Sequence, residues 1–332
     1  MFVIPTASAV PTINVVAGQS IQTAINAAVT GTHINVGPGD YNEALYLNKN
    51  KIVITADHAN LLPPPSYPST PCSSGGAPQT VGICVDGASN TLDAIRNFTI
   101  EGFSGGGIVV NNAKNTDISG NVINGSGPIA IAENNAAGVN IQANVVFGSS
   151  EAGISVAGAQ LPVALVKNNI AFDDGYGVLV RDSASGGNII QNVVTRNCVG
   201  VALLRTGPTP TTNWTVQKND AVGDQNACPA DNTNGTGILI GGADNTNVVN
   251  NTATRNQAAG PPVATSGGIV LVSTAGSGGA DPVNVKVANN IAFNNQVGDI
   301  VYDGTGTGND VKTNNRCKTS SPDPLICKNQ HA

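Results

Sequence analysis

The sequence predicts an all-β chain, a right-handed parallel β-helix of three parallel sheets and about ten coils closed by a short N-terminal capping helix. Three observations predict it. A glycine-led aliphatic phrase recurs along most of the chain, an Asn recurs at a fixed place after it, and the apolar residues are small and branched in a chain only 11% charged and 4% aromatic. Such a composition buries a long, thin core rather than a wide globular one.

The glycine-led phrase reads Gly107-Ile-Val-Val, Gly153-Ile-Ser-Val, Gly177-Val-Leu-Val, Gly200-Val-Ala-Leu, Gly237-Ile-Leu-Ile and Gly268-Ile-Val-Leu, with Gly298-Asp-Ile-Val as a degenerate last copy. A second phrase sets a Val, Ile or Leu three residues before an Asn, at Asn121, Asn144, Asn169, Asn192, Asn219, Asn251 and Asn290. A third short strand follows each Asn, then a turn residue: Ser126, Ser149, Asp174, Asn197, Asp224, Asn256 or Asn295. Three strands in a period of about 23 to 25 residues, without hairpin turn pairs, cannot make a sandwich. They make a coil, each strand stacked on its equivalent at about 4.8 Å. The recurrent Asn gains a role there, because stacked amides both donate and accept along the stack.

Coils are expected to begin near residue 41 and to form one domain over 10–332. The proline-rich stretch 58–82 reads as an inserted loop, and 316–332 as a C-terminal clasp over otherwise unpaired strand edges. Residues 1–9 read as a leader, with Ala7-Ser8-Ala9 in the small-x-small form of a signal-peptidase site. The six Cys form three sequence-local pairs, Cys72/Cys84, Cys198/Cys228 and Cys317/Cys327, expected as disulfides of a secreted protein. A net charge of −6 argues against nucleic acid as a partner, and no apolar run reaches the roughly 18 to 20 residues of a membrane span.

The phrase Gly18-Gln-Ser-Ile-Gln-Thr-Ala-Ile-Asn-Ala-Ala28, followed by Gly31-Thr-His-Ile-Asn-Val-Gly-Pro-Gly-Asp-Tyr-Asn-Glu43, resembles the entry of pectate-lyase-like β-helix proteins. The resemblance implies a capping helix at about 19–29, a Pro-Gly-x-Tyr turn into the first coil, and a binding groove on the sheet that begins after each Gly.

Alternation puts the middle residue of each phrase on the outside of that sheet: Val109, Ala130, Ser155, Leu179, Ala202, Leu239 and Val270. So apolar a stripe is covered by loops 205–215, 224–236 and 257–267, or by a second subunit in a homo-oligomer, or it is a groove for apolar sugar faces or a hydrophobic small molecule. Glu133, Arg181, Asp182 and Arg205 are the catalytic candidates, at nearly equivalent places in successive coils, with Arg181 and Arg205 expected as neighbours. Two arginines beside carboxylates could bind a uronate and assist elimination; equally, they make a surface ion-pair ladder. Asp173, Asp174, Asp220 and Asp224 could hold Ca²⁺ or serve as turn residues. No cofactor is otherwise implied. The three His, at 33, 58 and 331, are scattered, which disfavours His-based catalysis.

The leading expectation is therefore a secreted carbohydrate-active β-helix that binds a polysaccharide and cleaves it by β-elimination. Its rivals are a non-catalytic adhesive module and an enzyme acting on a hydrophobic small molecule.

Overall fold

The computed structural model describes residues 9–67, 70–72, 80–87, 93–160, 164–228 and 233–327. Most of the proposed leader and the last five residues of the proposed clasp, with His331, lie outside them. The chain winds through three parallel sheets of eleven strands each, a right-handed parallel β-helix. The first sheet runs from Thr12–Val15 to Lys286–Ala288, the second from Gly39–Asn42 to Arg316–Cys317, and the third from Leu45–Leu47 to Ser320–Ser321.

Winding starts earlier than residue 41, because Thr12–Val15 already pairs in parallel with His33–Val36. Between them lies α1, Ile21–Ala27, which buries Ile21, Ala24 and Ile25 over the end of the core. Ser20 caps its first turn, and the Glu43 carboxylate accepts from the Ile21 and Gln22 N–H groups at 2.8 and 3.0 Å, where the helix has donors without internal partners. The inserted loop is also shorter than 58–82. Ala59–Leu62 is a strand of the second sheet, and Val81–Asp86 belongs to the third, because alternate apolar residues at 59, 61, 83 and 85 continue the core.

All three expected disulfides are present, Cys72–Cys84, Cys198–Cys228 and Cys317–Cys327. Two of them sit differently from simple loop closures. Cys228 lies on a short ribbon, Ala227–Cys228 against Thr233–Asn234, that pairs antiparallel and so departs from the all-parallel expectation; its bond to buried Cys198 ties that ribbon to the stack. Cys327 does more than clasp the end from outside. It is buried with Cys317 and Ile326 as part of the core itself, because the last coil has no further coil to cover it.

Side chains from the three sheets meet along one axis, and two corner ladders keep them in register. At the first corner a residue in the left-handed region, such as Ala143 or Lys218, turns the chain so that the following Asn points inward. Asn192 shows the pattern: its Oδ1 accepts from the Asn169 N–H and Nδ2 at 2.9 and 3.0 Å, while its own Nδ2 donates to Val166 O and Asn219 Oδ1. Asn121, Asn144, Asn169, Asn219, Asn251 and Asn290 repeat it. The second corner stacks Ser149, Asp174, Asn197, Asp224, Asn256 and Asn295, each backbone N–H donating to the next side-chain oxygen.

The recurring glycine has a steric cause. A Cβ on Gly177, the second residue of its third-sheet strand, would lie 2.6 Å from Gly200 O in the next coil, and Gly82, Gly107, Gly200, Gly237 and Gly268 meet the neighbouring coil's carbonyl as closely; Ala130 is an exception.

Candidate functional site

Third-sheet register sets one row of outward residues in contact: Cys84, Val109, Ala132, Ser155, Leu179, Ala202, Leu239, Val270 and Val301. The expected groove residues Ser155, Leu179, Ala202, Leu239 and Val270 thus share one face. Ala130 does not. In that coil Ala130 itself takes the glycine place, opposite Gly107, and packs inside, while Ala132 takes the outward place in unbroken register with Val109 and Ser155.

The outer face is divided along its length. Near the N-terminal end Cys72, disulfide-bonded to Cys84, packs over Val81, Val109 and Ala132. In the middle, Arg181 at the end of Tyr176–Arg181 pairs with Glu151 just before Ala152–Ala157, at 2.5 Å. That ion pair crosses the width of the face, and Ser155 on the floor there is 1% exposed. Further along, the segments around 206, 233, 265 and 273–277 rise at the sides and leave a cleft of about 310 Å³. Leu204, Leu239, Gly241 and Val272 form its floor, and Tyr176 and Arg205 border it with the hydroxyl residues Thr206, Thr233, Thr265, Ser273, Thr274 and Ser277. The Thr233 hydroxyl is buried without a hydrogen-bond partner.

Arg205 and Arg181 turn away from each other. The register Val180 to Leu203, continued, sets Asp182 rather than Arg181 beside Arg205. Arg205 donates to Asp244 Oδ2 at 3.4 Å in the following coil and to the carbonyls of Gly207 and Pro208. Arg181 reaches back to Glu151 and lies 3.2 Å from Asp182, whose carboxylate also accepts from Thr206 Oγ1. Burial raises the Asp244 pKa, opposed by the Arg205 guanidinium and the Val283 N–H.

Glu133 is not part of this face. Register places it between Val110 and Val156, both inward core residues, and it is fully buried with neither oxygen partnered. Burial raises its pKa to about 8, so at neutral pH it is mainly a neutral acid.

The four aspartates proposed for Ca²⁺ point to different sides. Asp174 and Asp224 face inward in the second corner ladder, and burial raises both to about 7. Asp173 lies outside, held below its usual range by a bidentate bond from Arg196 at 2.8 Å, while Asp220 is exposed on the second sheet. Among the described residues no group of three or more His, Cys, Asp or Glu side chains converges to hold a metal.

The second sheet carries a different apolar surface. Its outward row Val122, Ile170 and Val193 is 37%, 41% and 40% exposed, beside stacked Phe147 and Phe172 rings and the Arg196 guanidinium 5.0 Å from the Phe172 centroid.

Tyr176, Thr233 and Asp244 were not among the sequence candidates. Tyr176 precedes Gly177 and shares the outward parity of Leu179 once the glycine is treated as a bulge in the alternation; Thr233, on the short antiparallel ribbon, and Asp244, on a connecting loop, lie outside the three-strand period and carry no such signal.

The molecule is thus a right-handed parallel β-helix with a hydroxyl-lined cleft on one outer sheet. A family model described as a right handed beta helix region matches residues 73–221. Among solved structures, the periplasmic alginate epimerase AlgG is similar over 92% of this chain and 83% of its own, with a TM-score of 0.60 and 10% identity. The mannuronan C-5 epimerase AlgE6 A-module of Azotobacter vinelandii is similar over 89% and 90%, with a TM-score of 0.55 and 16% identity. The DFA-IIIase of Arthrobacter chlorophenolicus A6 is similar over 91% of both chains, with a TM-score of 0.51 and 13% identity. At these identities the likeness is one of fold. No curated protein matches in sequence.

Proposed function

We propose that this is a carbohydrate-active protein of an oxidising, extracytoplasmic compartment, and that it binds a saccharide in the cleft over Leu239. The observation that carries the reading is the lining: an apolar floor beneath a rim of hydroxyls. A sugar ring has the same division, with C–H faces that pack on aliphatic side chains and hydroxyls that exchange hydrogen bonds at the edge. The unpartnered Thr233 hydroxyl is a buried polar group that a ligand oxygen would satisfy. Three disulfides support the compartment. Likeness in fold to alginate and mannuronan epimerases is in keeping with a carbohydrate ligand.

Elimination finds less support than binding. A lyase acting beside a uronate needs a base and a cation free to neutralise the carboxylate. Tyr176 and Arg205 are the titratable groups that line the cleft, and Arg205 is already engaged by Asp244. The reading favoured is therefore a saccharide-binding β-helix, with Tyr176 and Arg205 as the groups to test for chemistry.

Titration calorimetry with a panel of oligosaccharides tests the site, using Val272→Trp to fill the cleft from its half-buried floor. Affinity for at least one saccharide should fall by more than about tenfold in the variant. Saccharide binding that Val272→Trp leaves unchanged places the site elsewhere and defeats the proposal. Tyr176→Phe and the appearance of unsaturated product, followed by absorbance, read out chemistry separately.

A further inference from the structure

Resting on that cleft as the saccharide site, we infer that its ligand is a neutral saccharide and not a uronate or other polyanion. The inference comes from where the cations of the third-sheet face are spent. A groove for an acidic polymer presents guanidinium or ammonium groups whose donors are free to meet carboxylates, or a bound metal that bridges them. Here Arg181 and Arg205 are both neutralised from within the protein. Arg181 is held by Glu151 at 2.5 Å, and its charge is further offset by Asp182, 3.2 Å from an Nε that is buried and makes no hydrogen bond. Arg205, the cation of the cleft lining, faces Asp244 at 3.4 Å, both side chains being 17% exposed, and spends two further donors on the carbonyls of Gly207 and Pro208.

An anionic ligand entering the cleft would meet the Asp244 charge directly behind the lining cation, in a site partly shielded from water where like charges interact strongly. It would also approach a chain of net charge −6. The remaining polar lining consists of Tyr176 and six Ser or Thr residues; Thr206, Ser273 and Thr274 already donate to Asp182, Asp281 and Arg205 O, so what these three offer a ligand is lone pairs, which suit the hydroxyl donors of a sugar and not a carboxylate.

The experiment compares xylohexaose, cellohexaose and mannohexaose with oligogalacturonate and oligomannuronate of equal length, by calorimetry at low and high salt. The expected result is that a neutral hexasaccharide binds with a salt-independent Kd, at least about tenfold tighter than either acidic one, and that Val272→Trp abolishes it. Tighter binding of an acidic oligosaccharide, weakened by salt and blocked by Val272→Trp, would overturn the inference while leaving the cleft as the site. Failure of every probe to bind, or binding that Val272→Trp does not touch, would overturn the site and the inference together. Asp244→Asn adds a test of the cause: unmasking Arg205 should improve oligogalacturonate affinity by about tenfold. An unchanged preference in that variant, shown to be folded by its thermal transition, would contradict the masking argument.

Discussion

The interior of the prism and the outer face of its third sheet treat the same side chain, the carboxyl group, in opposite ways. Inside, Glu133, Asp174 and Asp224 are buried with at least one oxygen unpartnered, and their pKa values are pushed up to about 8, 7 and 7. Outside, Glu151, Asp182 and Asp244 each lie against an arginine. The contrast follows from what each place can offer. Stacked aliphatics offer these three groups no cation, so burial favours their neutral form, in which Asp174 and Asp224 take the place of an amide in the corner ladder. Asp224 does this visibly: its Oδ1 accepts from Asn197 N and Nδ2 as an Asn oxygen would, while Oδ2 occupies the place where Asn197 and Asn256 carry the NH₂ that donates to Ala171 O and Ala221 O. Interior polar groups therefore hold register, and the chemistry available to a ligand lies outside.

The largest effect that would test this division is removal of an interior amide. Asn192→Ala removes four buried hydrogen bonds to three residues, and should cost about 3–5 kcal/mol in urea unfolding. A loss under about 1 kcal/mol would mean that the ladder does not hold the coils.

The interior acids predict an unusual pH dependence. Their folded pKa values stand above the unfolded ones, so the folded state binds more protons between about pH 4 and pH 8. Their contribution is complete below about pH 4 and is lost as pH rises through about 7 to 8. Thermal melts should give a higher Tm near pH 5 than near pH 8. Asp224→Asn, which supplies the missing NH₂, should flatten that profile and add about 1–2 kcal/mol near pH 8. A Tm that climbs from acid to neutral pH would contradict neutral interior acids.

A smaller gain, about 1 kcal/mol near neutral pH, is expected for Glu133→Val, which matches its register neighbours Val110 and Val156. Saccharide affinity should not change, since the side chain faces the core. Smallest is Glu151→Gln. This pair is partly exposed, so its removal should alter stability by less than about 1 kcal/mol in the same urea measurement. Any effect on oligogalacturonate binding should exceed that on a neutral hexasaccharide, because it is the Arg181 charge that is released.

The comparison also explains how much the sequence could tell. Coils, corner amides and the outward row at Ser155, Leu179, Ala202, Leu239 and Val270 were legible because each depends on a strict short-range period. The disulfides were legible from locality alone, but the antiparallel ribbon under Cys228 and the burial of Cys327 in the core were not, since neither residue sits in the repeat. Glu133 was misplaced because of the repeat. Ala130 stands where its coil should show glycine, so the outward place falls two residues later than expected, at Ala132, and Glu133 beside it faces the core. Asp174 and Asp224 looked like exposed turn residues or metal ligands because a ladder position tolerates Asp where burial favours the protonated form, a condition that only the stacked neighbours reveal. Arg181 and Arg205 lay close in sequence phase, but their partners Glu151 and Asp244 sit on loops of irregular length, out of reach of periodic reasoning.

The most direct test is a crystal structure of the protein grown with the tightest neutral hexasaccharide. It should show a sugar ring on Leu239 and Val272 with hydroxyls within hydrogen-bond distance of Thr233. A saccharide lying instead on the exposed Val122, Ile170 and Val193 row of the second sheet, with the cleft holding only water, would contradict the account.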